Sequence, residues 1–135
     1  MKIQDLLVEG RESKETFVDM FKKFLPLAMK VLEIKSLPKM DFEPVINTGS
    51  QPSFGMYVTG EKTLHVAITN RHPVDILRTV AHELVHYRQD LRNELNDNSG
   101  ETGSPEENQA HEIAGVIMRH FNKQYPEFLR SNPIT

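Results

Sequence analysis

The chain of 135 residues contains no cysteine and no tryptophan. Without cysteine there is no disulfide framework, Cys-based zinc finger, iron–sulfur cluster or thiol nucleophile, so any metal must be held by His, Asp or Glu. The same absence fits a reducing compartment. An excess of one charge is also missing. Sixteen Lys and Arg against nineteen Asp and Glu leave a net charge of −3, which offers no electrostatic footprint for nucleic acid or an anionic membrane. No apolar run exceeds a few residues, whereas about eighteen are needed to span a bilayer, and there is no signal-peptide hydrophobic stretch. The expectation is a soluble, intracellular (cytoplasmic) protein with no nucleic-acid or membrane partner. What is present, 38% hydrophobic and 26% charged residues, suits one globular domain over residues 1–135.

Residues 1–10 form a short amphipathic opening through Ile3, Leu6 and Leu7. After Ser13, read as an N-cap, Phe17, Val18, Met20, Phe21, Phe24 and Leu25 recur at helical spacing. Pro26 is expected to stop or kink that helix before a second piece over 27–34. From Asp41 the pattern becomes strand-like over 42–46, then loop-like, then strand-like again over 54–59 and, after Gly60-Glu61-Lys62, over 63–69. This predicts a three-stranded antiparallel sheet whose last two strands form a hairpin. Pro73 opens a long helix to about residue 95, with His72 or Arg71 near its cap. A polar loop over 96–104 follows, and Ser104-Pro105 begins a final helix to about residue 125. The predicted class is α+β: an N-terminal helix, a small sheet and two long helices.

The helix predicted to open at Pro73 contains His82-Glu83-Leu84-Val85-His86, an H-E-x-x-H. Positions i and i+4 differ by about 40° of rotation and one turn of rise, so both imidazoles can reach one zinc ion. Glu83 lies about 100° round from His82, suited to touching a metal-bound water and badly placed to be a third ligand. Zinc lowers the pKa of its water from 15.7 towards about 7, and an adjacent carboxylate moves the proton to the leaving group. On a helical wheel Val74, Leu77, Val80, Ala81, Leu84 and Leu91 share one arc. His82 and His86 lie nearly opposite, among Asp75, Arg78, Thr79, Gln89 and Asp90, on a solvated face or on the floor of a covered cleft. A catalytic zinc needs a third protein ligand and an open fourth position. Glu106 and Glu107 both fall at the margins of the apolar face of the last helix (Ala110, Ile113, Ala114, Ile117, Met118, Phe121), and periodicity does not choose between them. Ser104-x-x-Glu107 also fits a capping box, which requires no metal.

With these residues the chain resembles the gluzincin metallopeptidases, in particular their one-domain forms, the minigluzincins. Those proteins pair H-E-x-x-H on one helix with a Glu on the next, often as E-x-x-A, in front of a small sheet. The matching residues are His82, Glu83, His86 and Glu107-Asn108-Gln109-Ala110, within a likeness covering roughly 63–121. The resemblance implies a zincin-like fold, one Zn2+ on His82, His86 and Glu107, Glu83 as general base, and a peptide or protein substrate. It also implies that the substrate pairs with an edge strand, which the pattern puts at 64–68. The chain departs from the family one turn later: where many members carry Asp or Asn it has His111, a partner for a ligand or a competing one.

An oxyanion-stabilising residue is expected, and Tyr57, Tyr87, His111, His120 and Tyr125 are all chemically able to serve. His65 is a further candidate for the cleft, whereas Arg78, Arg88 and Arg92 read most simply as solvated charges. Leu7-Val8-Glu9-Gly10 resembles the capsid-targeting leaders of internal head proteins in T-even-type phages, cut after Glu in an L-x-E context. That likeness implies a phage head-associated protein in the virion, processed to begin at Gly10. Two rival readings are a catalytically silent metal-binding or interaction protein of the same fold, and a SprT-type protease acting on DNA-bound proteins. The missing Cys-rich ribbon and the charge of −3 count against the second.

Overall fold

In the computed structural model, which describes residues 12–48 and 51–134, helix α1 spans Glu12–Leu32. The leader-like 7–10 stretch lies outside the described residues. Phe17, Met20, Phe21, Phe24, Ala28 and Leu32 recur every three or four positions along α1 and are all buried. The helix runs unbroken through Pro26, and Ser13 lies inside it and is not its cap. Proline forfeits its own N–H bond to the carbonyl of Lys22 and costs about 3 kcal/mol. Pro26 is exposed, however, and buried side chains on both sides of it contribute about 1.5–3 kcal/mol each, so tertiary packing outweighs the break.

Strands β1 (Lys39–Glu43), β4 (Gly55–Val58) and β5 (Thr63–Ala67) form one sheet in the order β1-β5-β4. The β4–β5 pair is the expected antiparallel hairpin, with Tyr57 opposite Leu64. β1 runs parallel to β5, with Phe42 opposite Val66, so the sheet is mixed and not wholly antiparallel. Between them β2 (Ile46–Thr48) and β3 (Gln51–Ser53) pair as a separate two-stranded sheet within the stretch expected to be loop. β5 is therefore the central strand, and the edge beside the helices is β4. Strand periodicity specifies which face is buried and carries no information on the direction of the neighbour. On the buried face, Leu64, Val66 and Phe42 meet the helices, and Phe42 packs edge-on against Phe17 and Phe21 with centroids 5.6 and 5.5 Å away.

Helix α2 (Pro73–Leu91) begins at His72, whose Nδ1 accepts the Val74 N–H at 3.0 Å, with Pro73 at the first helical position. It ends about a turn earlier than expected, where Asn93 takes φ 56°, and Leu91 is exposed and outside the core. Helix α3 (Pro105–Gln124) is capped by Ser104 and packs Ala110, Ala114, Ile117, Met118 and Phe121 into the core. A 3-10 turn (Pro126–Arg130) follows, and Ile134 bridges back to Arg71. The fold is α+β, with α2 enclosed by the sheet, α1 and α3. No helix among the described residues is long and apolar enough to cross a membrane.

Candidate metal centre

Two histidines of α2 meet one carboxylate of α3. His82 Nε2 lies 2.8 Å from Glu107 Oε1, His86 Nε2 lies 3.1 Å from Glu107 Oε2, and the two Nε2 atoms are 3.3 Å apart. Their side chains are only 12–20% exposed, so the polar face of α2 is the floor of a cleft from His82 onward, while Asp75 and Arg78 on the same face are exposed. Gln89, on the same face, is fully buried.

The choice between Glu106 and Glu107 is made by side-chain direction. Glu106 Oε1 accepts from Asn96 Nδ2 at 3.1 Å, away from the histidines. Ser104 Oγ accepts the Glu107 N–H at 3.1 Å, which is half of a capping box. The reciprocal half is not made: the Ser104 N–H donates to the Glu101 carbonyl at 3.0 Å, and the Glu107 carboxylate turns to the imidazoles.

Gln89 determines the tautomer of His86. Its Nε2 donates to the Glu106 carbonyl (3.0 Å) and to Gln109 Oε1 (2.8 Å), which directs its Oε1 to His86 Nδ1 at 2.8 Å. Nδ1 is then the donor, and Nε2 is the nitrogen left to present a lone pair. That lone pair faces a carboxylate oxygen and a second imidazole nitrogen at about 3 Å, a cluster of electron-pair donors that a cation relieves. The 3.3 Å between the two imidazole nitrogens matches the spacing of tetrahedral ligands at 2.0–2.1 Å, which stand about 3.3–3.4 Å from one another, while the carboxylate contacts of 2.8 and 3.1 Å are shorter. Burial pushes the His82 imidazole towards its neutral, ligating form, against the pull of Glu107.

Glu83 is 6% exposed, with a carboxylate oxygen within 4.8 Å of donor nitrogens on both histidines. Burial first, and the charge of Glu107 second, push its carboxyl up to about 8. His111, at the rim and 70% exposed, brings Nε2 to 3.5 Å from Glu107 Oε1, and its ring packs edge-on against His82.

Above these groups opens a cleft of about 740 Å³, walled by β4, α2, the start of α3 and the loop between the two helices. β4 comes this close because residue 55 is glycine: a Cβ there would sit 2.5 Å from Thr79 Cγ2. The Ala67 N–H donates to the Phe54 carbonyl at 2.9 Å, so by antiparallel alternation Gly55 and Tyr57 direct their N–H and C=O groups away from β5, along an edge that pairs with no other strand among the described residues. The Gly55 carbonyl also accepts from Ser53 Oγ at 2.9 Å.

The remaining sequence candidates are dispersed. Tyr57 lines the cleft, but its hydroxyl donates to Asp90 Oδ2 at 2.6 Å, and burial and that bond hold the proton on it. Tyr87 is buried and shares a 2.7 Å hydrogen bond with Ser36, while His120 and Tyr125 line a separate groove against α1. His65 points to the opposite sheet face, with Nδ1 3.1 Å from Glu43 and Nε2 3.9 Å from Glu61. Arg88 is half-buried with its guanidinium 3.4 Å from the Leu32 carbonyl. Sequence reasoning put Gln89 on the histidine face without a role, and Arg78, read as a solvated charge, is exposed. Arg78 lines the cleft, and its i, i+4 spacing to His82 was the available signal.

Gln89→Leu removes the acceptor for His86 Nδ1 and strands the Glu106 carbonyl. A zinc ion held by these residues would bind about 10–100-fold more weakly, and the metal-free fold is expected to lose about 1–3 kcal/mol. A zinc-competition titration and a urea unfolding curve measure the two effects.

No protein-family model, no functionally characterised protein and no solved structure matches the chain.

Proposed function

We propose that the chain is a zinc-dependent peptidase of gluzincin type, holding one zinc ion with His82, His86 and Glu107 and using Glu83 as general base. The observation that carries this reading is the convergence of two imidazole nitrogens and a carboxylate at 2.8–3.3 Å on the floor of a cleft. When bound, zinc would supply Lewis acidity, polarising a carbonyl and acidifying water. The chain's own groups do the rest. Glu83, close to the donor set and carrying a raised proton affinity, takes a proton from the attacking water and returns it to the nitrogen of the leaving amine as the C–N bond breaks. Gln89 keeps His86 in its ligating tautomer. The free edge of β4 at Gly55 and Tyr57 aligns an extended peptide as an added strand. His111, at the rim with Nε2 3.5 Å from Glu107 Oε1 and its ring against His82, is the oxyanion candidate beside the reacting centre.

One observation favours a second reading. His111 also stands within ligand spacing of His82 and Glu107, and as a fourth protein ligand it would close the site and leave a silent metal-binding protein.

Zinc analysis of the full-length chain distinguishes these readings from a metal-free protein. One zinc per chain is expected, and none in His86→Ala. No zinc in the wild type, or undiminished zinc in His86→Ala, overturns the metal site. Cleavage of a proteome-derived peptide mixture, lost on chelation and restored by zinc, is the expected result for a peptidase. Bound zinc with no cleavage leaves the silent reading.

A further inference from the structure

Of the Arg and Lys side chains in and beside the cleft, one has no partner among the described residues. Arg71, beside the cleft-lining Phe54 and Thr79, donates to the carbonyls of Ala67 (2.7 Å), Asp75 (3.3 Å) and Phe54 (3.4 Å) and to Thr79 Oγ1 (2.6 Å), with its guanidinium stacked on Phe54. Lys62 is paired at 2.9 Å with Asp90, which the hydroxyl of the cleft-lining Tyr57 also reaches. Arg78 is exposed, lines the cleft wall and has no hydrogen-bond or ion-pair partner among the described residues. A guanidinium presents a planar fork of donors suited to a carboxylate.

Its position restricts where that carboxylate can be. Arg78 and His82 share a face of α2, about 6 Å apart along the axis. An extended peptide advances about 3.3 Å per residue, so a group held by Arg78 belongs one or two residues from the bond presented to Glu83. β4 runs in the same direction as α2, because Gly55 lies against Thr79 and Glu83 while Tyr57 reaches Asp90. A peptide adding antiparallel to β4, the slightly stronger pairing per residue, passes from the Tyr57 end to the Gly55 end and carries its C-terminal side to Arg78.

We infer that the cleft takes peptides bearing a carboxylate one or two residues on the C-terminal side of the scissile bond, held by Arg78. That carboxylate is an acidic side chain or the peptide's own C-terminus. The inference rests on the peptide-binding reading proposed above.

The test is affinity selection on the full-length Glu83→Gln chain, incubated with zinc, from random acetylated hexapeptides supplied as amides and as free acids. Retained peptides are expected to favour Asp and Glu over Asn and Gln among the amides, or free acids over amides, by about fivefold. The first result identifies a side-chain carboxylate and the second a C-terminal one. Arg78→Gln is expected to abolish the preference and Arg78→Glu to turn it towards Lys and Arg. No preference, no retention, or a preference that survives Arg78→Gln overturns the inference. Cleavage by the zinc-loaded wild-type chain that is blind to carboxylates overturns it while leaving the peptidase reading intact. Arg78-dependent retention by a chain that holds no zinc does the reverse.

Discussion

Glu83→Gln is expected to keep one zinc per chain and to slow peptide cleavage by about 10²–10⁴-fold, the loss that follows removal of a positioned general base. Glutamine preserves the shape and one acceptor oxygen but cannot accept a proton at the pH of the reaction. Metal analysis and single-turnover cleavage of the same preparation measure both quantities. Retained zinc with unchanged cleavage would remove Glu83 from the chemistry.

The same substitution has the opposite consequence for the metal-free fold. Burial, and then the charge of Glu107, raise the Glu83 carboxyl from 4.5 to about 8. A carboxyl whose pKa is higher folded than unfolded binds more protons in the folded state between those two values. Stability of the wild type therefore falls as pH rises through the window from 4.5 to 8, and then levels off. At pH 7 the ionisation penalty is about 3 kcal/mol, and glutamine does not incur it. In chelator, Glu83→Gln is expected to resist urea better than wild type at pH 8, with the gap closing by pH 4.5. Parallel unfolding curves at both pH values would contradict the buried, raised carboxyl.

Glu107→Ala is expected to abolish stoichiometric zinc, whereas Glu106→Ala retains it. Zinc a thousandfold above its dissociation constant stabilises a folded chain by about 4 kcal/mol, which at this length raises the melting temperature by about 10–15 °C. That rise should be present in wild type and Glu106→Ala and nearly absent in Glu107→Ala. A frayed helix would not account for the loss, because the backbone N–H of residue 107 stays bonded to Ser104 Oγ whatever its side chain. An equal zinc response in all three proteins would place the ligand elsewhere. Among the described residues the Glu106 carboxylate is hydrogen-bonded to Asn96 and not to the histidines, and Glu106 is the control of the same charge and length at the neighbouring position.

The α+β class, the start of α2 at His72-Pro73, the start of α3 at Ser104-Pro105 and the alignment of His82 with His86 were legible because each depends on residues within one or two turns. The solvated-looking face of α2 was half legible. The helical wheel separated His82, His86 and Gln89 from the apolar arc, but that α3 and the preceding loop cover this face is a property of packing between elements. For the same reason Pro26 failed as a helix breaker: local propensity is outweighed by Phe24 on one side and Ala28 and Leu32 on the other. The parallel β1 and the edge position of β4 were invisible, since alternation records a buried face and not a neighbour.

By itself the sequence determined the donor types available to a metal, with thiolates excluded, and the two imidazoles with their adjacent carboxylate, because i, i+4 geometry is internal to a helix. Only the tertiary structure decided that Glu107 and not Glu106 meets them, that Gln89 orients His86, that β4 supplies the open edge and that Arg78 faces the cleft. Each of these depends on the distance and direction between side chains of separate elements, which burial and packing of the whole core establish and no local spacing encodes.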